Sequence, residues 1–350
     1  MGLVSLFSGC GGLDLGFIKA GFSISWANEF DSTIWETYQK NHPSTFLDTR
    51  SIIDIPASDI PDCEGIIGGP PCQSWSEAGA QRGIKDPRGQ LFFEYIRILS
   101  SKKPLFFLAE NVSGILAPKH SDALKNIIEM FSASGYNVNM KLLNAHDYNV
   151  PQDRNRVIIV GYRDDMGVSF QFPEKQLEKP TLKDAIWDLQ DSALPAMKKN
   201  YSNSQMEIPN HEYMIGGFST IYMSRNRVRS WDEPSYTIQA GGRHAPIHPQ
   251  ASKMIKVGVD KFEFNKETPL PYRRLSAREC LRIQTFPDDF ILYYNKLENA
   301  YKMIGNAVPV NLAYALAKVI AKDIKKWKQQ ITSSSEQLAL DFKRQKQDLI

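Results

Sequence analysis

A few residues stand where the chain turns, and their types could do chemistry. Cys72 follows two glycines and two prolines in the stretch Ile66-Ile67-Gly68-Gly69-Pro70-Pro71-Cys72-Gln73-Ser74-Trp75-Ser76. The apolar start of that stretch reads as a strand. Pro70 and Pro71 donate no backbone N–H, so the sheet cannot continue through them. A thiol presented by a rigid turn has the setting of a nucleophile; the bland reading is a small buried hydrophobe. Glu110 follows another apolar run, Leu105 to Ala109, and Glu29 and Asp48 follow two shorter ones. Acids at the carboxyl ends of strands face the crevice where open α/β sheets bind ligands.

The elements that must position these groups alternate in kind. Leu3 to Phe7 reads as a buried strand, Ser8-Gly9-Cys10-Gly11-Gly12 as a turn, and Leu13 onward as a helix stopping at Gly21. A strand, a glycine-rich turn and a helix open a nucleotide-binding unit, and Gly9 and Gly11 let backbone approach a ligand. Ile24 to Ala27 is a second strand. Glu29 at its end suits both hydroxyls of a ribose, and Asp31 is expected to cap a helix from Ser32 to Lys40. A third strand, Thr45 to Leu47, ends at Asp48, which suits an adenine amino group. Leu91, Phe92, Tyr95, Ile96 and Leu99 follow helical spacing and read as core. Ser121 to Ser134 reads as an amphipathic helix, and Val138 to Leu143 and Val157 to Tyr162 as two more strands. The fold class expected is therefore α/β, a doubly wound, mostly parallel Rossmann-like sheet with a smaller irregular β-rich domain.

Texture divides the chain. Residues 1–172 and 272–328 form the expected catalytic and cofactor-binding domain. Residues 173–271, rich in Pro, Gly, Asn and Ser, form the smaller domain. Residues 329–350 are expected to be a polar tail, frayed or disordered. The net charge is only +3, so a basic face has to be local. The four cysteines, Cys10, Cys63, Cys72 and Cys280, include no Cys-x-x-Cys pair. No metal site is expected, and the pattern fits a reduced cytoplasmic protein with no membrane partner.

A thiol and a carboxyl group beside an adenosine-type cofactor suit attack on an electron-poor ring. Cytosine C5 is too weak a nucleophile to take a methyl group. Thiolate addition at C6 makes C5 enamine-like, and a carboxylic acid at N3 assists by supplying a proton. The sequence resembles the DNA (cytosine-5)-methyltransferases of bacterial restriction–modification systems over residues 3 to 320. Six segments carry the resemblance: Phe7-Ser8-Gly9-Cys10-Gly11-Gly12; Gly69-Pro70-Pro71-Cys72-Gln73; Glu110-Asn111-Val112; Gln152, Arg154 and Arg156; Arg273, Leu275, Arg278 and Glu279; and Gly305-Asn306-Ala307-Val308-Pro309. It implies that Cys72 adds to C6, that Glu110 contacts N3 and the exocyclic amine, that Arg156 holds the O2 edge and that Arg154 supports a closed loop. It further implies S-adenosyl-L-methionine as methyl donor, held by Phe7, Gly9, Gly11, Glu29, Phe30, Asp48, Pro70 and Asn306. The last motif is implied to pack beside the first. Leu47 stands before Asp48 where the family often has glycine.

The substrate implied is double-stranded DNA, with the target base rotated out of the stack. The segment from Ser74 to Gln90 is expected to enter the DNA, with Arg82, Lys85 and Arg88 as phosphate contacts. Arg225, Arg227 and Arg243 suit bidentate pairing with guanine, and alternation would set Arg225 and Arg227 on one face of a strand. Arg229 could share that face and contact phosphate. Chemistry alone implies a guanine-containing site. The stretch Ile221 to Arg229 resembles the GGCC-methylating branch of the family, which implies methylation of the inner cytosine. A monomer is expected, paired in function with a restriction endonuclease of the same site. The alternatives are a non-catalytic DNA-binding protein and a tRNA methyltransferase on the same fold.

Overall fold

The computed structural model describes the backbone of residues 2–71 and 87–347, and the side chains of 2–71 and 91–333. Cys72, Arg82 and Lys85 lie outside the described residues, as does the side chain of Arg88.

The first half alternates strand and helix: β1 (Leu3–Leu6), α1 (Gly12–Lys19), β2 (Ile24–Asn28), α2 (Trp35–Asn41), β3 (Phe46–Asp48), β4 (Gly65–Gly68), α3 (Pro87–Lys102), β5 (Phe106–Val112), α4 (Ser121–Ala133), β6 (Tyr136–Asn144) and β7 (Asn155–Arg163). These strands form one sheet in the order β3-β2-β1-β4-β5-β7-β6. Strands β1 to β5 pair in parallel, and β7 runs antiparallel between β5 and β6. The expected doubly wound, mostly parallel sheet is what forms.

Both faces of the sheet are covered, so its central strands are apolar throughout rather than alternating. Val4, Leu6, Ile66, Phe107 and Ala109 pack against Phe92, Tyr95 and Leu99 of α3 and Phe131 of α4. Each of these large side chains contributes roughly 1.5–3 kcal/mol by leaving water. On the other face Leu3, Ile67, Phe106, Leu108 and Ile158 meet Leu13 and Phe17 of α1. The same layer holds α8 (Val310–Gln347), which supplies Leu312, Leu316 and Ile320. Gly16 makes that pairing close: a Cβ there would lie 2.3 Å from the Cβ of Ala313. The last motif thus packs beside the first.

Between the two halves lie α5 (Leu182–Ile186), β8 (Leu194–Pro195), β9 (Glu212–Tyr213), β10 (Ile255–Gly258) and β11 (Lys261–Glu263), then α6 (Ala277–Ile283) and α7 (Leu297–Asn306). The strands are short, as the dense Pro and Gly predict. The expected capping box forms, with the Ser276 hydroxyl accepting from the Glu279 N–H and the Glu279 carboxylate from the Ser276 N–H. A core of Leu182, Ile186, Met214, Ile238 and Ala245 is shared with Leu275, Leu281, Tyr301 and Ile304.

Three expectations change. Helix α2 starts at Trp35, not Ser32, and Asp31 is not its cap. The Asp31 carboxylate instead accepts from the N–H and hydroxyl of Thr33, a local turn that competes with helix. Strand β5 runs on through Val112, because β7 supplies partners from Phe106↔Tyr162 to Val112↔Arg156. Glu110 therefore sits inside a strand rather than past its end. The polar tail is helical to Gln347: a helix already anchored by buried Leu316 and Ile320 needs only one further hydrogen bond per residue to propagate.

Candidate active site

The cofactor side is built from β1, β2 and the turn between β1 and α1. Phe7 has φ 55°, a left-handed backbone rare outside glycine, so the chain turns sharply as it leaves the sheet. Gly9 and Gly11 follow with φ 55° and 89°. A Cβ on Gly9 would meet no atom within 4 Å, so this part of the turn faces open space. Glu29 reaches across from β2. Its carboxylate accepts from the Gly9 N–H at 3.0 Å and from the Asp31 N–H at 2.8 Å. Burial pushes this carboxyl up, and those two N–H groups oppose the shift. Beside it Phe30 is 69% exposed, an aromatic ring mostly open to solvent. The cradle of turn, acid and bare ring fits an adenosine-containing group.

Asp48 sits at the end of β3 as expected, but its carboxylate is engaged. Arg50 donates to both oxygens, at 3.1 Å from Nε and 2.7 Å from Nη2, and holds the carboxyl below its usual range. Arg50 had no signal in the sequence beyond its charge. Asn306, at the end of α7, is exposed. Lys302 of the same helix pairs with Asp31, tying α7 to the turn after β2.

Glu110 and Arg156 form the other side. The β5–β7 register sets Glu110 opposite Ile158, so Arg156 is its diagonal neighbour on the same face. Arg156 Nε lies 2.7 Å from Glu110 Oε1, an ion pair whose angle falls outside hydrogen-bond geometry. Glu110 also abuts the turn that leads to Cys72: a Cβ on Gly69 would lie 3.2 Å from Glu110 Oε2. Asn111 donates to the Pro70 carbonyl at 3.1 Å, fixing that turn to β5. Cys10, Cys63 and Cys280 are buried, and burial pushes the first two thiols up to about 12 and the third well above the ordinary range. Among the four cysteines of the sequence, none of these three can supply a thiolate near neutral pH.

Arg154 is fully buried, and the loop it was expected to support lies outside the described residues. Its guanidinium donates to the carbonyls of Ile238 at 2.9 Å, Gly305 at 2.7 Å and Ala307 at 2.9 Å, and burial pulls its pKa well down. Gln152 works alongside, bonding Gln284 and the Ile238 N–H. In this run Gln152 and Arg154 point inward to hold the last motif, while Asp153, Asn155 and Arg156 line a cleft of about 400 Å³.

Arg225 and Arg227 line that same cleft, yet no strand presents them. A short 3-10 turn, Tyr222–Ser224, precedes them, and Arg225 is extended and exposed. Arg227 is buried: it donates to the Tyr222 and Ile221 carbonyls at 2.7 and 3.0 Å and stacks on the Tyr222 ring. Arg229 pairs with Glu233 at 3.0 Å and Asp153 at 2.9 Å, so a free phosphate contact is not what it presents. Arg243 lines a separate cleft of about 530 Å³ with Arg274, and His244 borders both clefts. Period-two alternation cannot find this arrangement, because the backbone there is turn rather than strand.

The family model for C-5 cytosine-specific DNA methylases matches residues 1–322. The chain is 58% identical over 325 residues to the type II methyltransferase M.MthTI of Methanothermobacter thermautotrophicus, covering 93% of this chain and 98% of that one. It is 56% identical over 328 residues to the type II methyltransferase M.FnuDI of Fusobacterium nucleatum, covering 93% and 95%. Among solved structures, a prophage-encoded DNA modification methyltransferase from E. coli superposes with a TM-score of 0.71 at 24% identity, over 93% of this chain and 99% of that one. A Spodoptera frugiperda DNMT2 mutant gives 0.66 at 18% identity, over 91% and 99%. These two share the fold.

Proposed function

Since this chain belongs to the C-5 cytosine-specific DNA methylase family and is a type II DNA cytosine-C5 methyltransferase, we propose that it methylates the inner cytosine of GGCC and so protects host DNA from an endonuclease of the same site. The observation that carries the reading is Glu110, paired with Arg156 and set against Gly69 at the foot of the turn to Cys72.

In this reading a cytosine leaves the duplex and enters the cleft bordered by Arg156. Glu110 meets N3 and the exocyclic amine, and Arg156 meets O2. The Cys72 thiolate adds to C6 while Glu110 supplies a proton at N3, which leaves C5 enamine-like. When bound, S-adenosylmethionine supplies the electrophilic methyl group for C5. Glu29 would hold its ribose, Phe30 and Asp48 its adenine, and Phe7, Gly9, Gly11, Pro70 and Asn306 its remaining length. Loss of the C5 proton to solvent, departure of the thiolate and return of the N3 proton to Glu110 then restore the ring and the enzyme. Glu110 needs no search for its place, because the β5–β7 register and the Arg156 pair fix it beforehand.

Residues 173–271 act as the target recognition domain, with Arg225, Arg227 and Arg243 reading guanine and Arg82 and Arg88 holding phosphate. Because Arg227 already spends two donors on its own turn, Arg225 is the freer reader of the pair. We place the protein in the cytoplasm, as a monomer on double-stranded DNA.

The test is methyl transfer from labelled S-adenosylmethionine to short duplexes. A GGCC duplex is expected to accept label with kcat/KM at least about 10³-fold above a scrambled duplex, the lower end of the usual ratio between specific and non-specific sites. Equal transfer to both duplexes contradicts the GGCC assignment.

A further inference from the structure

Beneath the cofactor turn lies a buried polar cluster that no motif announces. Asp14, in the first turn of α1, is fully buried. Its carboxylate accepts from the Ser5 hydroxyl of β1 at 2.6 Å and from the Tyr38 hydroxyl of α2 at 2.6 Å. His42, one turn beyond Tyr38, stacks on that tyrosine with ring centroids 4.4 Å apart. It is 2% exposed. The ring lies directly under Gly11, where a Cβ would come within 2.0 Å of His42 Nε2.

Three elements that carry the cofactor cradle are joined here. Strand β1 leads into the turn, α1 leads out of it, and α2 follows the Glu29-Phe30 pair. A buried carboxyl with two donors is costly to leave half-satisfied, so the cluster has one stable arrangement. Moving the turn at Gly11 requires moving His42, and His42 is stacked on the tyrosine that Asp14 holds.

We propose that Asp14, Tyr38 and His42 are positioning residues for the cofactor turn, acting on S-adenosylmethionine affinity and not on the methyl-transfer step. The inference rests on the reading that S-adenosylmethionine occupies that turn. None of the three touches it; each acts through the backbone of Gly9 to Gly12.

The experiment is calorimetric titration of S-adenosylmethionine into the full-length protein and its Tyr38→Phe and Asp14→Asn variants, with kcat measured at saturating cofactor. Circular dichroism confirms that each variant is folded, and Ser5→Ala, which removes the other donor, takes the place of Asp14→Asn if that variant does not fold. Each variant is expected to bind about ten-fold more weakly, as the loss of one buried hydrogen bond implies, while kcat stays within about two-fold. The double variant is expected to fall short of the product of the singles, because they share one bond. A merely structural role would lower stability without this split between affinity and kcat. Affinities within about two-fold of wild type in folded variants overturn the proposal, as does a fall in kcat with affinity intact. Failure of the wild-type protein to bind S-adenosylmethionine instead removes the cofactor reading on which the proposal stands.

Discussion

Glu110→Gln is expected to lower the single-turnover rate of methyl transfer by about 10²–10⁴-fold, the usual contribution of a positioned general acid. Glutamine keeps the shape but not the charge that pairs with Arg156, so the variant is first shown to be folded by circular dichroism. What it lacks is a proton to give at N3 as the thiolate adds. Because Glu29, not Glu110, is the acid bonded to the cofactor turn, S-adenosylmethionine affinity should be unchanged. The check is rapid-quench transfer to a GGCC duplex with enzyme in excess, beside cofactor titration of the same preparation. A rate within ten-fold of wild type would mean that Glu110 orients the base without supplying a proton.

Arg154→Met carries the largest expected effect on stability, a loss of about 2–4 kcal/mol. Methionine fills most of the volume, so packing is largely kept. The carbonyls of Ile238 and Gly305 lose their donor, at roughly 1–3 kcal/mol for each buried acceptor left bare, while that of Ala307 keeps the Gln284 amide at 3.4 Å. Against that stands relief from burying a guanidinium, whose pKa is already pulled down by its surroundings. The two orphaned acceptors still leave a net loss, because the guanidinium is delocalised and its Nη atoms are satisfied, although its unpartnered Nε adds to the relief. Equilibrium urea unfolding should show a lower midpoint with an unchanged slope. A catalytic role would give the reverse pattern, an unaltered midpoint with a reduced rate in folded protein.

Much of the fold was legible because its signals are local. Apolar runs ending in acids marked β2 and β3, and glycines marked the turns around them. Helical spacing at Leu91, Phe92, Tyr95, Ile96 and Leu99 identified core at the last four, while Leu91 is only partly buried against it. The site was legible as residue types but not as partners. Nothing in the sequence pairs Glu110 with Arg156: that contact depends on the antiparallel insertion of β7 and its register, which is a long-range choice. Arg154 and Arg156 look equivalent in sequence, two residues apart, yet one faces buried carbonyls and the other an open cleft. Asp48 and Arg50 form an i,i+2 clamp just past the end of β3, where strand spacing no longer applies. The Asp14–Tyr38–His42 cluster escaped notice because Asp14 lies on a different element from Tyr38 and His42, and no spacing rule links it to them.

The central claim is that Cys72 forms a covalent bond to the flipped cytosine, and trapping tests it most directly. A GGCC duplex with 5-fluorocytosine at the inner position is incubated with S-adenosylmethionine and the full-length protein, then run on a denaturing gel. Fluorine at C5 cannot leave as a proton does, so the thioether at C6 should persist. Wild-type protein is expected to give a stable protein–DNA adduct near one equivalent, and Cys72→Ser none. Absence of the adduct with active wild-type protein, or equal adduct from Cys72→Ser, would contradict the account.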